Sequence, residues 1–345
     1  MDILPRFFLK TVDGLFFAVN TYFHPETHYV AFLRYVPSSD GDRELDGMKY
    51  SKVNSQEAYD FIREVHPDYL FDWNVEGKKM MGVLKEDVVE VLSPVEKLKE
   101  IINSEDDNVM YHKIRLLSSI MHDEGGISYD DMGVTGSTLA GLDKCNTSDI
   151  DFVIFGLENH RKAVELYSIL KNDESNPLDK ISGDYWGPVF ENRVKDDSMT
   201  LDEFVWYESR KNNRGLIMGT TFALLLTRKS DEVMDDASAS FKPLEKMRIK
   251  CEIIDDSESY DIPSTYYVDN VEILEGPPVN IEKIISFTHT FTAIAKNNEE
   301  VIASGVCEEV RKKDCEKSYN LVVGTTRESI NEYIKLAENP LNKIK

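Results

Sequence analysis

The chain has 345 residues, 41% of them hydrophobic and 10% aromatic, which is enough for two or three domains with cores of their own. Lysine and arginine total 40 and aspartate and glutamate total 63, so the formal net charge is −23 at pH 7. Because binding a long nucleic acid normally requires a basic surface, this balance argues against long DNA as a partner and leaves only a local basic patch open.

Cysteine and apolar patterns narrow the class of protein further. The four cysteines, Cys145, Cys251, Cys307 and Cys315, form no CxxC pair, which argues against a zinc site or a disulfide framework. No segment approaches the run of about eighteen apolar residues that crosses a membrane, and the N-terminus lacks a basic region followed by an apolar run. We therefore expect a cytoplasmic protein with no membrane partner.

The first ninety or so residues read as a small α+β module. Apolar runs at 6–11 and 15–22 are separated by the turn signal Val12-Asp13-Gly14, and a third run spans 28–37. A short helix is predicted after Asn54, and further strands at 79–84 and 88–92. The sheet is expected to be mainly antiparallel, and we identify no catalytic constellation in this module.

A central α/β domain is predicted to follow. Ser93-Pro94-Val95-Glu96 is typical of a helix start, and helical spacing continues to a stop at Gly125-Gly126. A strand near Met132, a glycine turn, a strand after Asp149 and a helix at 158–172 complete the pattern.

The central motif is Asp149-Ile150-Asp151, at the start of the apolar run Phe152-Val153-Ile154-Phe155. Residues two apart on a strand point to the same side, so both carboxylates face one spot, where they suit a hard cation such as Mg²⁺. Upstream, Gly136-Ser137 follows a short apolar strand, and backbone N–H groups and a hydroxyl at such a turn can hold a triphosphate. The alternative to a binding site is an ordinary strand whose two aspartates face solvent, but aspartate is depleted from strand interiors.

Gly136-Ser137, the eleven residues 138–148 and Asp149-Ile150-Asp151 together resemble the signature of the nucleotidyltransferases of the DNA polymerase beta superfamily. The resemblance implies transfer of a nucleoside monophosphate from a nucleoside triphosphate, ATP among them, to an acceptor hydroxyl on RNA, protein or a small molecule. It implies Mg²⁺ or Mn²⁺ on Asp149 and Asp151 as metal ligands and catalytic groups, with Gly136 and Ser137 on the phosphates.

The sequence departs from this family at the third carboxylate, which many members carry on the next sheet strand. The matching run, 220–227, contains no acidic residue. The substitutes are Glu252, as a third catalytic residue, and Asp255 and Asp256 beside it. Two hypotheses follow: an active nucleotidyltransferase, or a catalytically degenerate nucleotide- or RNA-binding protein of the same fold. A toxin or antitoxin role, common among small members, fits less well because of the flanking domains.

Candidate phosphate and base contacts lie at 185–214. Arg210 and Arg214 suit a triphosphate by their bidentate geometry, although such a charge run also suits a solvated loop. Tyr185 and Trp186 suit either stacking on a base or packing in a core.

The last hundred residues are predicted to be β-rich. Five apolar or alternating runs, at 249–254, 266–274, 284–295, 300–309 and 319–323, favour a small barrel of the oligonucleotide-binding type, closed by a helix at 329–336. Such a barrel suits acceptor recognition or plain packing. The predicted class is multidomain α+β: an N-terminal α+β domain at 1–93, a polymerase-beta-like nucleotidyltransferase domain at 94–235 and a C-terminal barrel-like domain at 240–345.

Overall fold

The structure is a computed structural model that describes residues 2–106, 108–144, 147–233, 238–312, 317–326 and 328–343. Cys145 and Cys315 lie outside the described residues, whereas Cys251 and Cys307 are buried free thiols. The chain forms two compact units: a first unit of residues 1–73, 78–180 and 213–234, and a second unit of residues 74–77, 181–212 and 235–345. The mixed α+β class, with several sheets, is confirmed.

The first unit contains thirteen of the described strands and five helices. Its strands are β1 (Phe8–Thr11), β2 (Phe16–Val19), β3 (His28–Pro37), β4 (Arg43–Leu45), β5 (Met48–Lys52), β6 (Leu70–Asp72), β7 (Lys79–Leu84), β8 (Val88–Leu92), β9 (Met132–Val134), β10 (Ile150–Phe155), β11 (Leu178–Asp179), β12 (Arg214–Ile217) and β13 (Thr220–Thr227). Its helices are α1 (Ser55–Val65), α2 (Pro94–Asn103), α3 (Val109–Asp123), α4 (Gly136–Leu139) and α5 (Leu157–Leu170).

The N-terminal module forms an antiparallel sheet, as predicted. Its main path is β4-β5-β3-β2-β1-β8, and β7, which carries β6, also pairs with β3. The hairpin of β1 and β2 turns at Gly14, and α1 begins after Asn54, whose side chain forms a reciprocal capping box with Glu57. These local signals were strong because turn and cap residues act over only a few positions.

The second sheet of this unit has the order β11-β12-β13-β10-β9, with β10 and β13 parallel. Alternate residues of β10 serve two cores: Ile150, Phe152 and Ile154 pack with apolar residues of α2, α3 and α5. Val153 and Phe155 pack instead with the apolar residues of the N-terminal module. Asp151 precedes Val153 by two positions and therefore faces the N-terminal module.

The second unit is built from two helices and six strands among its described residues. They are α6 (Trp186–Arg193), α7 (Leu201–Lys211), β14 (Ser240–Asp255), β15 (Ser264–Glu275), β16 (Ile281–Ser286), β17 (Glu300–Arg311), β18 (Lys317–Val323) and β19 (Tyr333–Leu336). The pairings β14-β15-β16-β18-β17 return to β14, so five strands close into a ring with one parallel pair, β16 with β18. Trp186 is buried in the core beneath this ring, so its packing role is the one observed.

Two predictions about this unit were wrong. The helix predicted at 329–336 is replaced by β19, because Tyr333 to Leu336 pair with β17 and bury Ile334. The strand predicted at 284–295 ends at Ser286. The compact units also differ from the predicted ranges, since residues 181–212 cluster with the ring rather than with 94–180. Within the described part of the chain, no helix is long and apolar enough to cross a membrane.

A buried histidine makes the stability of the first unit depend on pH. His160 on α5 is 2% exposed, and its Nε2 lies 3.3 Å from the carbonyl oxygen of Leu224 on β13. Burial lowers the pKa of His160 to about 4. Below the unfolded pKa of about 6.5 the unfolded chain takes up a proton that the folded chain refuses, so this stability is present at neutral pH and is lost as the pH falls towards 4.

Between neutral pH and pH 4, we expect the unfolding free energy of the wild type to fall by about 3 kcal/mol more than that of the His160→Gln variant. Urea denaturation of both proteins across this range measures the difference. His112→Gln, at an exposed position on α3, is the matched control and should follow the wild type. Equal slopes for wild type and His160→Gln would contradict the prediction.

Candidate functional site

One pocket of the first unit collects most of the predicted site residues. It has a volume of about 180 Å³ and is lined by Phe8, Arg34, Tyr35, Arg43, Lys52, Gly136, Ser137, Thr147, Ser148, Asp149 and Asp151. Gly136, Ser137, Asp149 and Asp151 therefore face a common space. We refer to this space as the Asp149 pocket.

The acidic pair sits where β10 begins. Asp149 is exposed just before the strand, and Asp151 is its half-buried second residue. Burial raises the pKa of the Asp151 carboxyl, and the adjacent charge of Asp149 raises it further. Three cationic side chains lower it: Arg6, Arg214 and Lys52. The two carboxylates thus repel each other in a space where an added cation would relieve the repulsion.

Gly136 is required by both its backbone and its neighbour. Its φ is +68°, in the left-handed region that favours glycine. A Cβ added here would lie 2.2 Å from Oδ2 of Asp151, far inside van der Waals contact. The N–H of Thr135, one residue earlier, donates to the carbonyl oxygen of Asp151 at 2.9 Å. The glycine turn and the acidic strand are therefore in direct contact.

Ser137 is the hydroxyl-bearing partner of this turn. Its Oγ donates to Oγ of Ser148 at 3.4 Å, and its carbonyl oxygen accepts the N–H of Leu142 at 2.8 Å. Oγ of Ser148 also accepts the N–H of Lys144 at 2.8 Å. Ser148, just before Asp149, is therefore hydrogen-bonded both to the turn at Gly136 and to Lys144.

The strand on which the resemblance implies a third carboxylate lies beside the acidic strand in the sheet. Asp151 lies opposite Ala223 on β13, and Ala223 lies opposite Arg214 on β12. Laterally adjacent residues share a face of the sheet, so the three side chains point the same way. Arg214 therefore lies two strands from Asp151 on the same face, and its charge lowers the pKa of Asp151. It is not among the residues that line the Asp149 pocket, and the strand position where an acid was sought carries Ala223.

The N-terminal module supplies three cations that the sequence analysis missed. Arg34 on β3, Arg43 on β4 and Lys52 on β5 all line the Asp149 pocket. Each is an isolated charged residue in a strand and belongs to no recognisable motif. The sequence offered one signal, Arg34, because a charged residue interrupts the apolar run of β3 between buried neighbours. The direction in which the Arg34 side chain points, however, depends on how the two sheets pack.

Two predicted residues belong to the second unit, where each has a local partner. Arg210 donates to Glu299 at 2.5 Å and lies 4.7 Å from the ring centroid of Trp206. Glu252 on β14 accepts a hydrogen bond from Asn270 at 3.0 Å. No cluster of three or more His, Cys, Asp or Glu groups suited to a metal occurs among the residues that the structure describes. The phosphate role of Arg210 and the catalytic role of Glu252 stay predictions.

The donor chemistry of the pocket fits a hard divalent cation. Asp149 and Asp151 offer carboxylate oxygens side by side, and Mg²⁺ commonly uses one or two carboxylates together with water and substrate phosphates. The closeness of Gly136 to the Asp151 carboxylate supports the fit, because it brings the glycine turn and one carboxylate to the same space.

The fold and site define a mixed α+β protein whose pocket combines paired carboxylates with a cationic wall. The chain is 40% identical to "Uncharacterized protein MJ1086" of Methanocaldococcus jannaschii, over 97% of this chain and 99% of that protein. The chain belongs to the family of that archaeal protein. No protein-family model matches the chain, and no solved structure matches it.

The contact between Gly136 and Asp151 can be tested by its effect on stability. Gly136→Ala combines a backbone penalty of about 1–2 kcal/mol at positive φ with a clash of about 1–3 kcal/mol. Gly126→Ala is the control, because Gly126 has φ +64° and nothing within 4 Å of an added Cβ. We expect Gly136→Ala to lose clearly more unfolding free energy than Gly126→Ala.

The excess should shrink by about 0.5–3 kcal/mol when Asp151→Ala is added, since the clashing carboxylate is then absent. Urea denaturation of the single and double variants measures this coupling. An additive double variant would show that the two residues do not interact.

Proposed function

We propose that this protein is a metal-dependent nucleotidyltransferase, which transfers a nucleoside monophosphate from a nucleoside triphosphate to an acceptor hydroxyl and releases pyrophosphate. The observation that carries the proposal is the convergence of Gly136, Ser137, Asp149 and Asp151 on one pocket. Their order in the chain is that of the polymerase beta signature, and their contact in space is what such chemistry needs.

Each residue has a role in this proposal. Asp149 and Asp151 would hold Mg²⁺ or Mn²⁺, which when bound neutralises the phosphates and orients them for displacement. Gly136 lets a phosphate approach closely, and Ser137 offers a hydroxyl to it. Arg214 adds a permanent positive charge on the same face of the sheet as Asp151.

The ring of five strands in the second unit supports an oligonucleotide-binding type of barrel at the level of fold. A five-stranded barrel with Greek-key connections is the architecture of that fold. Such barrels bind acceptors in some proteins and only pack in others, so the acceptor is left to experiment among RNA, protein and small molecules.

The second candidate is a nucleotide- or RNA-binding protein of the same fold without turnover. Ala223 favours it, because the strand position beside Asp151 carries no carboxylate and the next strand carries Arg214. A second metal ion about 3.5–4 Å from the first would then lack a carboxylate ligand from this strand.

The transferase proposal is tested by incubating the purified protein with Mg²⁺ or Mn²⁺, each α-labelled nucleoside triphosphate, total RNA and cell extract. We expect labelled product from the wild type and at least a hundredfold less from Asp149→Asn/Asp151→Asn, in the range of losing strong electrostatic stabilisation. Asp179→Asn, at an exposed aspartate of the same sheet, is the control and should keep the activity. No transfer, with metal-dependent nucleotide binding retained by the wild type, would favour the second candidate.

We also expect a single divalent ion at the pocket. Titration of Mn²⁺ followed by electron paramagnetic resonance should show one tight site that is lost in Asp149→Asn/Asp151→Asn, because Asp149 and Asp151 are the carboxylates among the described residues that line the pocket and a two-metal pair needs a further acid. Two tight ions lost together in that variant would contradict this expectation and indicate a third carboxylate from elsewhere.

A further inference from the structure

The cationic wall of the Asp149 pocket, formed by Arg34, Arg43 and Lys52, is not explained by the acidic motif. All three residues come from the N-terminal module, outside the residues that resemble the transferase signature. We propose that this wall binds the phosphate chain of the nucleotide, so that the N-terminal module is a polyphosphate-binding element. The proposal rests on the proposed function and names the part of the substrate that these residues recognise.

The strand pairing of the module brings the wall together. Lys52 lies opposite Tyr35 on the neighbouring strand, and the N–H of Val53 donates to the carbonyl oxygen of Arg34 at 3.0 Å. Arg34 and Lys52 therefore hold adjacent positions at one end of the β3–β5 pair. Both are fixed by a regular sheet rather than by a loop, which suits a preorganised binding surface.

Arg43 connects the wall to the segment between Gly136 and Asp149. Its Nη1 donates to the carbonyl oxygen of Leu142, and its guanidinium lies 5.6 Å from the ring centroid of Tyr35. Its buried Nε has no partner among the described residues. Arg43 thus fixes β4 to the segment after α4 and keeps its charge at the pocket.

The charges that line the pocket favour an anionic ligand at the wall. Desolvation lowers the pKa of the Lys52 ammonium and the charges of Arg34 and Arg43 lower it further, whereas Asp151 and Asp149 raise it. In a chain of net charge −23, three cations gathered at one space repel each other, and an anion bound among them lowers this repulsion. Asp149 and Asp151 bring two negative charges to the same pocket.

The chemistry of the anion follows from what else faces the same space. A ligand there must carry several negative charges for the wall and must also accept a divalent cation held by Asp149 and Asp151. A polyphosphate chain meets both requirements, because its oxygens bind Mg²⁺ and also pair with guanidinium and ammonium groups. A single carboxylate ligand would leave most of the wall unpaired.

Inorganic tripolyphosphate with Mg²⁺ is the probe, titrated into the full chain by calorimetry. We expect its affinity to fall about tenfold to a hundredfold in Lys52→Gln and in Arg34→Gln, the effect of losing one hydrogen bond to a charged group. Lys49→Gln is the matched control: Lys49 is exposed on the same strand β5 and does not line the pocket. The affinity of the wild type should also weaken with added salt more steeply than that of either wall variant.

Folding and function are separated by two further readings. Urea denaturation midpoints near the wild-type value confirm that a weaker variant is folded. The proposal would be overturned if the wall variants bound tripolyphosphate as tightly as the wild type, or if the wild type did not bind it. Either result would count whether or not nucleotide is transferred. Tripolyphosphate binding that depends on Lys52 and Arg34, without any transfer of label, would retain the wall and refute only the transferase.

Discussion

The structure of the site depends on the contact between one glycine and one carboxylate. Gly136 lies so close to Asp151 that no other residue fits, and the N–H of Thr135 ties the same turn to the backbone of β10. Asp151 lies beside a second carboxylate, whose charge raises its pKa. This repulsion costs stability, and the proposed binding of a cation at the pocket would offset it.

The N-terminal module borders the site because side chains alternate between the two faces of β10. One set of residues packs on helices, and the set that includes Val153 and Phe155 packs on the N-terminal core. Asp151 belongs to the second set, so the module that covers that face necessarily borders the acidic pair. The same packing that buries apolar surface therefore places Arg34 and Lys52 at the pocket. The packing that forms the core of this unit thus also brings the residues of the pocket together.

Sequence reasoning succeeded wherever a signal was local. The hairpin at Gly14, the cap at Asn54 and the acidic strand rest on neighbouring residues alone. It failed where distant pairing decided the outcome, as at β19, whose short alternating run takes its conformation from β17. Arg34 and Lys52 were missed for the same reason, since the direction of a lone cation in a strand depends on the packing of two sheets.

Arg210 and Arg214 show that residues close in sequence can belong to different compact units. Helix α7 ends at Lys211, and Asn212 adopts a left-handed φ of +54°. The chain passes there from the second unit to the first, so Arg210 pairs with Glu299 whereas Arg214 enters the row of Ala223 and Asp151. A charge run that crosses a boundary between compact units cannot be assigned to either of them from composition.

The row formed by Asp151, Ala223 and Arg214 bears on what the pocket can do. A guanidinium neutralises phosphate charge at any physiological pH, but it cannot take a proton from an acceptor hydroxyl or present a metal ion to it. A carboxylate at Ala223 would do both. Under the proposed function, the described residues suit binding and polarising a triphosphate better than activating its acceptor. Turnover would then depend on where the acceptor loses its proton, and this is the point at which the two candidate functions diverge.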